Sequence, residues 1–404
     1  MLEFRTLDDL LALADGTGKV VLVREDLNVP MSDAGISDDS RLRRAVPTLD
    51  SLASVGFKVV VLAHFGRPKG SVVPSLSLKP VANALNDLTD ATAHFYGETV
   101  GEGVRIAIDA LRPGQILVLE NSRYLPGEEN NDAALAAEIA DLGDYFVNDA
   151  FSAAHRAHVT TEGLAQKLPS YAGLLMAEEL LALDRALGQP IRPTVAIVGG
   201  SKISTKLDLL SNLIEQVDAL VIGGGMANTF LQATGVDVAR SLTESDLVPT
   251  ALEILSKAQR LNCQIMLPSD VVVAGGVEHG DASFVVPATA VPSDSMILDF
   301  GPASAQAVCE LLERSQTLIW NGPLGAFEFA PFEQATTRVA RAAAAQTAIG
   351  DLVSVAGGGD TVSALAMAGV VGELTYISSA GGAFLEWMEG KLLPGVKALN
   401  DWAN

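Results

Sequence analysis

Thr194-Val-Ala-Ile-Val-Gly-Gly-Ser-Lys-Ile-Ser-Thr-Lys-Leu-Asp-Leu-Leu210 opens as an unbroken apolar run, turns on two glycines and continues as a helix-like stretch. An apolar run this short, without alternation, suits a strand covered on both faces. Similar runs stand at Lys19–Arg24, Lys58–Ala63, Gln115–Leu119 and Tyr145–Val147, and again at Ala219–Ile222, Gln264–Leu267, Thr317–Trp320, Leu352–Val355 and Thr375–Ile377. Strands alternating with helical patterns imply βαβ units and mainly parallel sheets. The expected fold is therefore α/β, with two doubly wound, Rossmann-like parallel-sheet domains joined by a helical hinge.

In open sheets of this kind ligands bind beyond the carboxyl ends of the strands, so the turns there decide function. Up to about residue 160 those turns carry Arg, His, Asn and Asp, in Val23–Asn28, Ala63–Arg67, Leu119–Arg123 and Val147–Arg156. Beyond residue 190 they carry glycine and lysine, in Val198–Lys202, Ile222–Met226, Trp320–Gly325, Ala356–Asp360 and Ser379–Gly382. The first half is suited to gripping a small anion through guanidinium groups, the second to cradling phosphates with backbone N–H groups.

A chain of 404 residues exceeds one average domain of roughly 150 residues. The change of turn chemistry divides it in two. Between the halves, Tyr171–Leu187 has apolar residues at helical spacing and stops at Gly188, which predicts a connector helix of about four turns. The expected domains are 1–170 and 190–390, linked by 171–189, with the tail 391–404 packing back on the first. A net charge of −22 argues against nucleic acid or anionic membrane surfaces as partners. Small anionic ligands remain compatible with it, because charges are screened beyond about 8 Å and a site is governed by its own residues. Cys263 and Cys309 form no CxxC motif, and the start, Met1–Leu10, is acidic and lacks a secretory pattern. No apolar run reaches about 18 residues, so a cytoplasmic enzyme is expected.

No Walker A sequence and no GxGxxG after the first strand is present. A glycine cluster at a strand–helix junction often serves only close packing. Three of them, each before a helical segment, favour phosphate binding at helix N-termini. Asp360 closes one cluster, as a carboxylate for Mg²⁺ or as a helix N-cap. Lys202 and Lys206 are four apart, so on a helix they would share a face and repel unless an anion lay between them. Arg41, Arg67, Arg123 and Arg156 accompany His64, Asp26 and Asn28 in the earlier turns, and several guanidinium forks together suit a ligand bearing carboxylate and phosphate. His155 and His158 lack acidic or cysteine partners at ligand spacing and read as hydrogen-bonding loop residues.

Together the motifs resemble the phosphoglycerate kinase family nearly end to end. The pieces are Val23-Arg-Glu-Asp-Leu-Asn-Val-Pro30, His64-Phe-Gly-Arg-Pro68, Asn148-Asp-Ala-Phe-Ser-Ala-Ala-His-Arg-Ala-His158, Gly199-Gly-Ser-Lys-Ile-Ser-Thr-Lys206, Gly223-Gly-Gly-Met-Ala-Asn-Thr-Phe230, Trp320-Asn-Gly-Pro-Leu-Gly-Ala-Phe-Glu328 and Gly357-Gly-Gly-Asp-Thr361. The resemblance implies a two-domain, usually monomeric enzyme passing a phosphoryl group between MgATP and 3-phosphoglycerate. It implies phosphoglycerate binding by Asp26, Asn28, Arg41, His64, Phe65, Gly66, Arg67, Arg123 and Arg156. On the nucleotide side it implies Gly200, Lys202, Lys206, Gly224, Asn321, Pro323, Glu328 at the ribose, and the loop Gly357, Gly358, Gly359, Asp360 and Thr361, with Asp360 holding Mg²⁺. Arg41, Lys202, Lys206, Gly358 and Gly381 would act on the moving group, Gly381 and Gly382 opening a helix toward it.

The chain departs from the family pattern at Glu25 and Leu27, where Val and Phe are more usual, at Phe65 for Leu, and at Ser152-Ala153 for Gly-Thr. Ala380 and Phe384 stand where Thr and Ser are commoner. None removes a charge the chemistry needs, so altered packing is expected. Two rival readings, an NAD-dependent dehydrogenase and an idle nucleotide-binding protein, are disfavoured by the missing GxGxxG and by the intact Arg and Lys set.

Overall fold

The apolar runs become parallel strands. The computed structural model describes residues 3–13, 16–32 and 35–402; residues 1–2 of the acidic start and 403–404 of the tail lie outside the described residues. The chain divides into two compact units, Leu2–Leu181 with Leu392–Asn404, and Ala182–Lys391.

In the first unit six parallel strands lie in the order Ala93–Tyr96, Ile116–Leu119, Lys58–Ala63, Val20–Glu25, Tyr145–Asn148 and Ser170–Ala172. Alternate residues of each central strand face opposite ways. Val21, Val23, Val59 and Val61 pack with Leu42, Leu49 and Leu52 of helix Ser40–Ser54, while Leu22, Val60 and Leu62 share the other core with Val104 and Ile108 of helix Glu102–Ala110. Helices thus cover both faces, which is why the strands read as continuous apolar runs. The strand order reverses between Val20–Glu25 and Tyr145–Asn148, and the crevice for a ligand belongs there. The tail helix Pro394–Asn400 packs on this unit: Ala398 enters its core and Gly395 N–H donates to Ala154 O at 2.9 Å.

The second unit holds six parallel strands in the order Gln264–Met266, Ala219–Ile222, Thr194–Val198, Thr317–Asn321, Val353–Gly357 and Tyr376–Ser378. Numbered along the chain this is 3-2-1-4-5-6, the Rossmann order, with its reversal between Thr194–Val198 and Thr317–Asn321. A three-stranded antiparallel sheet, Phe284–Pro287, Asp270–Ala274 and Met296–Phe300, is an addition that the sequence reading does not contain.

The connector differs from expectation. Ser170–Ala172 pair with Phe146–Asn148 as a strand, so the helix begins at Leu174, runs to Leu183 and ends in a wider turn, Asp184–Gly188. Its first turn is capped from a distance: Asp149 Oδ1 accepts from Met176 N–H at 2.9 Å, and Thr48 Oγ1 from Leu174 N–H at 3.1 Å.

Candidate active site

In the first unit the turns after the strands at the reversal, together with those after Lys58–Ala63 and Ile116–Leu119, are tied to one another. Asp26 Oδ2 accepts from Arg41 at 2.7 Å and also from the Ser152 hydroxyl, joining the turns on either side of the reversal to the N-terminus of helix Ser40–Ser54. Asn28 Oδ1 accepts from Gly66 N–H at 2.9 Å, and Arg123 donates to Gly66 O at 2.8 Å. Asn121 grips Phe65 through both backbone groups, at 3.1 and 2.7 Å. Arg67 stands exposed in the same turn as His64 and Gly66.

His64 is the centre of a cationic cluster. Burial, then the guanidinium groups of Arg24, Arg123 and Arg156, hold its pKa well below the usual imidazole value. The ring is therefore neutral at physiological pH. Arg24, itself buried, places Nη2 2.8 Å from His64 Nδ1, and a guanidinium only donates. Nδ1 thus accepts, and the ring proton is on Nε2. Arg24 is anchored behind by Thr160 at 2.9 Å, which bonds the buried carboxylate of Glu128. His158 is similarly kept neutral, its pKa lowered to about 4 by burial and by Arg123, Arg24 and Arg156.

In the second unit the glycine turns pack backbone on backbone. Gly199 N–H donates to Asn321 O at 2.9 Å, and a Cβ on Gly199 would lie 1.8 Å from Pro323 O, so nothing but glycine fits. Gly224 N–H donates to Leu324 O at 2.8 Å and Met226 N–H to Gly200 O at 2.9 Å. For the Gly223–Gly225 cluster close packing therefore explains the glycines, and Gly224 serves as wall. A cavity of about 370 Å³ opens beside these turns, lined among others by Gly200, Gly224, Pro323, Glu328 and Asp360. Its far wall comes from Met296–Phe300, a strand of the antiparallel sheet.

At one end of the cavity Gly358, at φ +97°, caps helix Gly359–Ala368 without any side-chain bond, so Asp360 is the second helical residue and its carboxylate is not the cap. Asn321 braces this end: Nδ2 donates to Gly357 O at 2.7 Å and Oδ1 accepts from Lys206. Thr361 Oγ1 ties Gly322 N–H, at 2.7 Å, to Gly357 O, at 2.8 Å. Burial lowers Lys206 to about 8, opposed by Asp360 and Glu389. Lys202 and Lys206 do not share a helical face. A single tight turn, Ile203–Thr205, lies between them and the helix starts at Leu207, leaving Lys202 exposed and Lys206 turned inward.

With this geometry in place, kinship can be read. The family model for phosphoglycerate kinase matches residues 10–391. The chain belongs to the phosphoglycerate kinase family. It is 56% identical over 398 residues to phosphoglycerate kinase of Zymomonas mobilis, covering 98% of this chain and 100% of the relative, and 58% identical over 396 residues to that of Ruegeria, covering 98% and 99%. The solved structure of phosphoglycerate kinase from Coxiella burnetii superposes with a TM-score of 0.90 at 40% identity, covering 98% of this chain and 99% of that one. A kinase, and so a transferase, is what this family membership makes it.

Two residues of the phosphoglycerate kinase-like first unit are not among the site residues expected from sequence. Arg24 stands in the motif Val23–Asn28 but also ends the run Lys19–Arg24, where it counts as a strand residue, although a charge in a strand covered on both faces is itself a signal. Ser152 reads as a packing departure, yet its hydroxyl shares the Asp26 carboxylate with Arg41. Phe384 is a packing residue as expected, its buried ring lying where a Cβ on Gly357 would come within 2.5 Å. Among the described residues no group of three or more His, Cys, Asp or Glu could hold a metal by itself. One uncapped carboxylate, Asp360, beside a nucleotide-sized cavity fits a Mg²⁺ whose other ligands come from phosphates and water.

Proposed function

We propose that the chain catalyses reversible phosphoryl transfer between ATP and the carboxylate of 3-phosphoglycerate, giving 1,3-bisphosphoglycerate and ADP, in glycolysis and gluconeogenesis. The observation that carries this is the guanidinium cluster around a neutral His64 in one unit and, in the other, a glycine-walled cavity ending at Asp360. Asp26, Asn28, Arg41, His64, Arg67, Arg123 and Arg156 bind the phosphoglycerate, with Phe65 and Gly66 shaping the turn. His64 contributes its Nε2–H as a neutral donor, and Asp26 with Ser152 fixes the fork of Arg41.

The attacking carboxylate is ionised at neutral pH, so no general base is needed and catalysis reduces to positioning and to charge stabilisation on the equatorial oxygens. Arg41 and Lys202 supply that charge, and Lys206, held beside Gly357 by Asn321, neutralises the nucleotide phosphates. Glu328 holds the ribose, and Gly381 with Gly382 opens a helix toward the moving group. Mg²⁺ held by Asp360 supplies Lewis-acid neutralisation of the phosphate oxygens when bound. Because the two binding sets belong to different units, turnover requires closure about residues 170–190, which also excludes water from the nucleotide. The enzyme acts as a cytoplasmic monomer.

A coupled assay that reduces the acyl phosphate as it forms tests the reading. Turnover requiring ATP, Mg²⁺ and 3-phosphoglycerate together is expected; nucleotide binding without turnover would overturn it.

A further inference from the structure

The strand Val20–Glu25 ends on two buried side chains of opposite nominal charge, Arg24 and Glu25. A buried guanidinium is tolerated only with a carboxylate near it and acceptors for its N–H groups. Glu25, though adjacent, is a poor counter-charge, because burial and then Asp149 raise its pKa well above the ordinary carboxylate value and favour its neutral form. Asp26 is engaged by Arg41 at 2.7 Å, and Glu129 pairs with Arg123 at 3.2 Å. Glu128 remains. It lies fully buried in the short turn Glu128–Asn130 and is first among the charges that oppose the effect of burial on Arg24.

Thr160, fully buried in the wide turn Val159–Gly163, joins the two. Its hydroxyl oxygen accepts from Arg24 Nε at 2.9 Å. A hydroxyl has one proton, and here it is donated to Glu128 Oε1 at 2.5 Å, while the Thr160 backbone N–H donates to Oε2 at 3.2 Å. Donation to a carboxylate polarises the hydroxyl and makes its oxygen the better acceptor for Arg24. On the other side Arg24 Nη1 donates to Glu25 O, and Nη2 lies 2.8 Å from His64 Nδ1. The chain Glu128, Thr160, Arg24, His64 therefore runs from a buried carboxylate to the imidazole of the site, and its first two members are too deep to meet a ligand.

We propose that Thr160 and Glu128 are positioning residues of the phosphoglycerate site: the carboxylate orients the Thr160 hydroxyl, the hydroxyl holds Arg24 against His64 Nδ1, and the ring proton is thereby kept on Nε2. The proposal rests on the reading that His64 binds the phosphoglycerate. Thr160→Val removes the hydroxyl at nearly constant size, Thr160→Ser keeps it, and Glu128→Gln removes the charge at constant shape. Ring ¹⁵N shifts of His64 in the substrate-free protein at neutral pH are expected to show the Nε2–H tautomer alone in the wild type and in Thr160→Ser, and a measurable share of the Nδ1–H tautomer in Thr160→Val. In turnover Thr160→Val raises the KM for 3-phosphoglycerate by about tenfold, the scale of one hydrogen bond to a charged group, and leaves the KM for ATP unchanged. Thr160→Ser stays within about twofold of the wild type. Should Thr160→Val fail to fold, Glu128→Gln takes its place in both measurements with the same expected results, and the wild-type spectrum stands by itself. A wild-type ring protonated on Nδ1, a Thr160→Val ring still wholly Nε2–H, or a Thr160→Ser as impaired as Thr160→Val would overturn the proposal. Mixed tautomers in Thr160→Val with an unchanged KM for 3-phosphoglycerate would instead overturn the reading that His64 binds this substrate.

Discussion

Glu25, Lys206 and Arg41 each carry a test at the scale of one side chain. Glu25 replaces a residue the family usually keeps apolar, and both its carboxylate oxygens are buried without a partner. Burial, then Asp149, raise its pKa well above the ordinary carboxylate value. Below about pH 4.5 both folded and unfolded chains carry this proton, and no pH dependence arises. Above it the unfolded chain ionises while the folded one does not, so stability falls with rising pH until the folded pKa is passed, by about 1.4 kcal/mol per pH unit. Asp149, raised to about 6 by burial, adds the same sign only up to that pH. Thermal unfolding of Glu25→Gln should therefore gain on the wild type as pH rises from 6 to 9; a constant gap would refute the buried proton. Lys206, lowered to about 8, loses its charge above that pH, so kcat/KM for ATP should decline with an apparent pKa near 8 while kcat at saturating ATP is less affected. A flat profile to pH 9.5 would show Lys206 to be an ordinary lysine. Arg41→Ala, by removing a fork fixed by Asp26, should lower kcat by about 10³-fold and leave ATP affinity nearly intact. A loss of only a few fold would take Arg41 out of the catalytic role.

Among the elements, the sharpest constraint is the contact between the turns after Thr194–Val198 and Thr317–Asn321. Gly199→Ala would drive its Cβ into the Pro323 carbonyl, backbone against backbone. Urea unfolding should show a loss on the order of 3 kcal/mol, and ATP binding should weaken with it; an unchanged midpoint would mean the turns are looser than they look. Elements like these were legible in the sequence because a strand covered on both faces must be apolar throughout, and Thr194–Val198 and Lys58–Ala63 need no context to be recognised. Ala93–Tyr96 is a half-exposed edge strand whose apolar signal is weak. Ser170–Ala172 shares its spacing with the helix that follows, and only pairing with Phe146–Asn148 makes it a strand. The sheet Asp270–Phe300 lacks the strand–helix alternation that marks the rest, so the far wall of the second unit's cavity has no clear signal in the sequence. Arginines in turns announce themselves; Arg24 lies within the strand Val20–Glu25, and its contact with His64 Nδ1 shows only in three dimensions.

For the molecule as a whole, the proposed function places its two binding sets on the two compact units, and the helix Leu174–Leu183 crosses the division between Leu181 and Ala182. On that proposal, a carboxylate bound to one unit and a γ-phosphoryl group bound to the other are expected to react through closure of the units, with the substrates' own binding energy favouring the closed state. Full-length kinship with phosphoglycerate kinases fixes the reaction, but the motion is a property this chain has to demonstrate. Small-angle scattering of the intact protein measures it directly, free, with each substrate alone, and with 3-phosphoglycerate and a non-hydrolysable MgATP analogue together. The radius of gyration should shrink only when both ligands are present; a radius unchanged by the pair would contradict closure as the step that brings the reacting groups together.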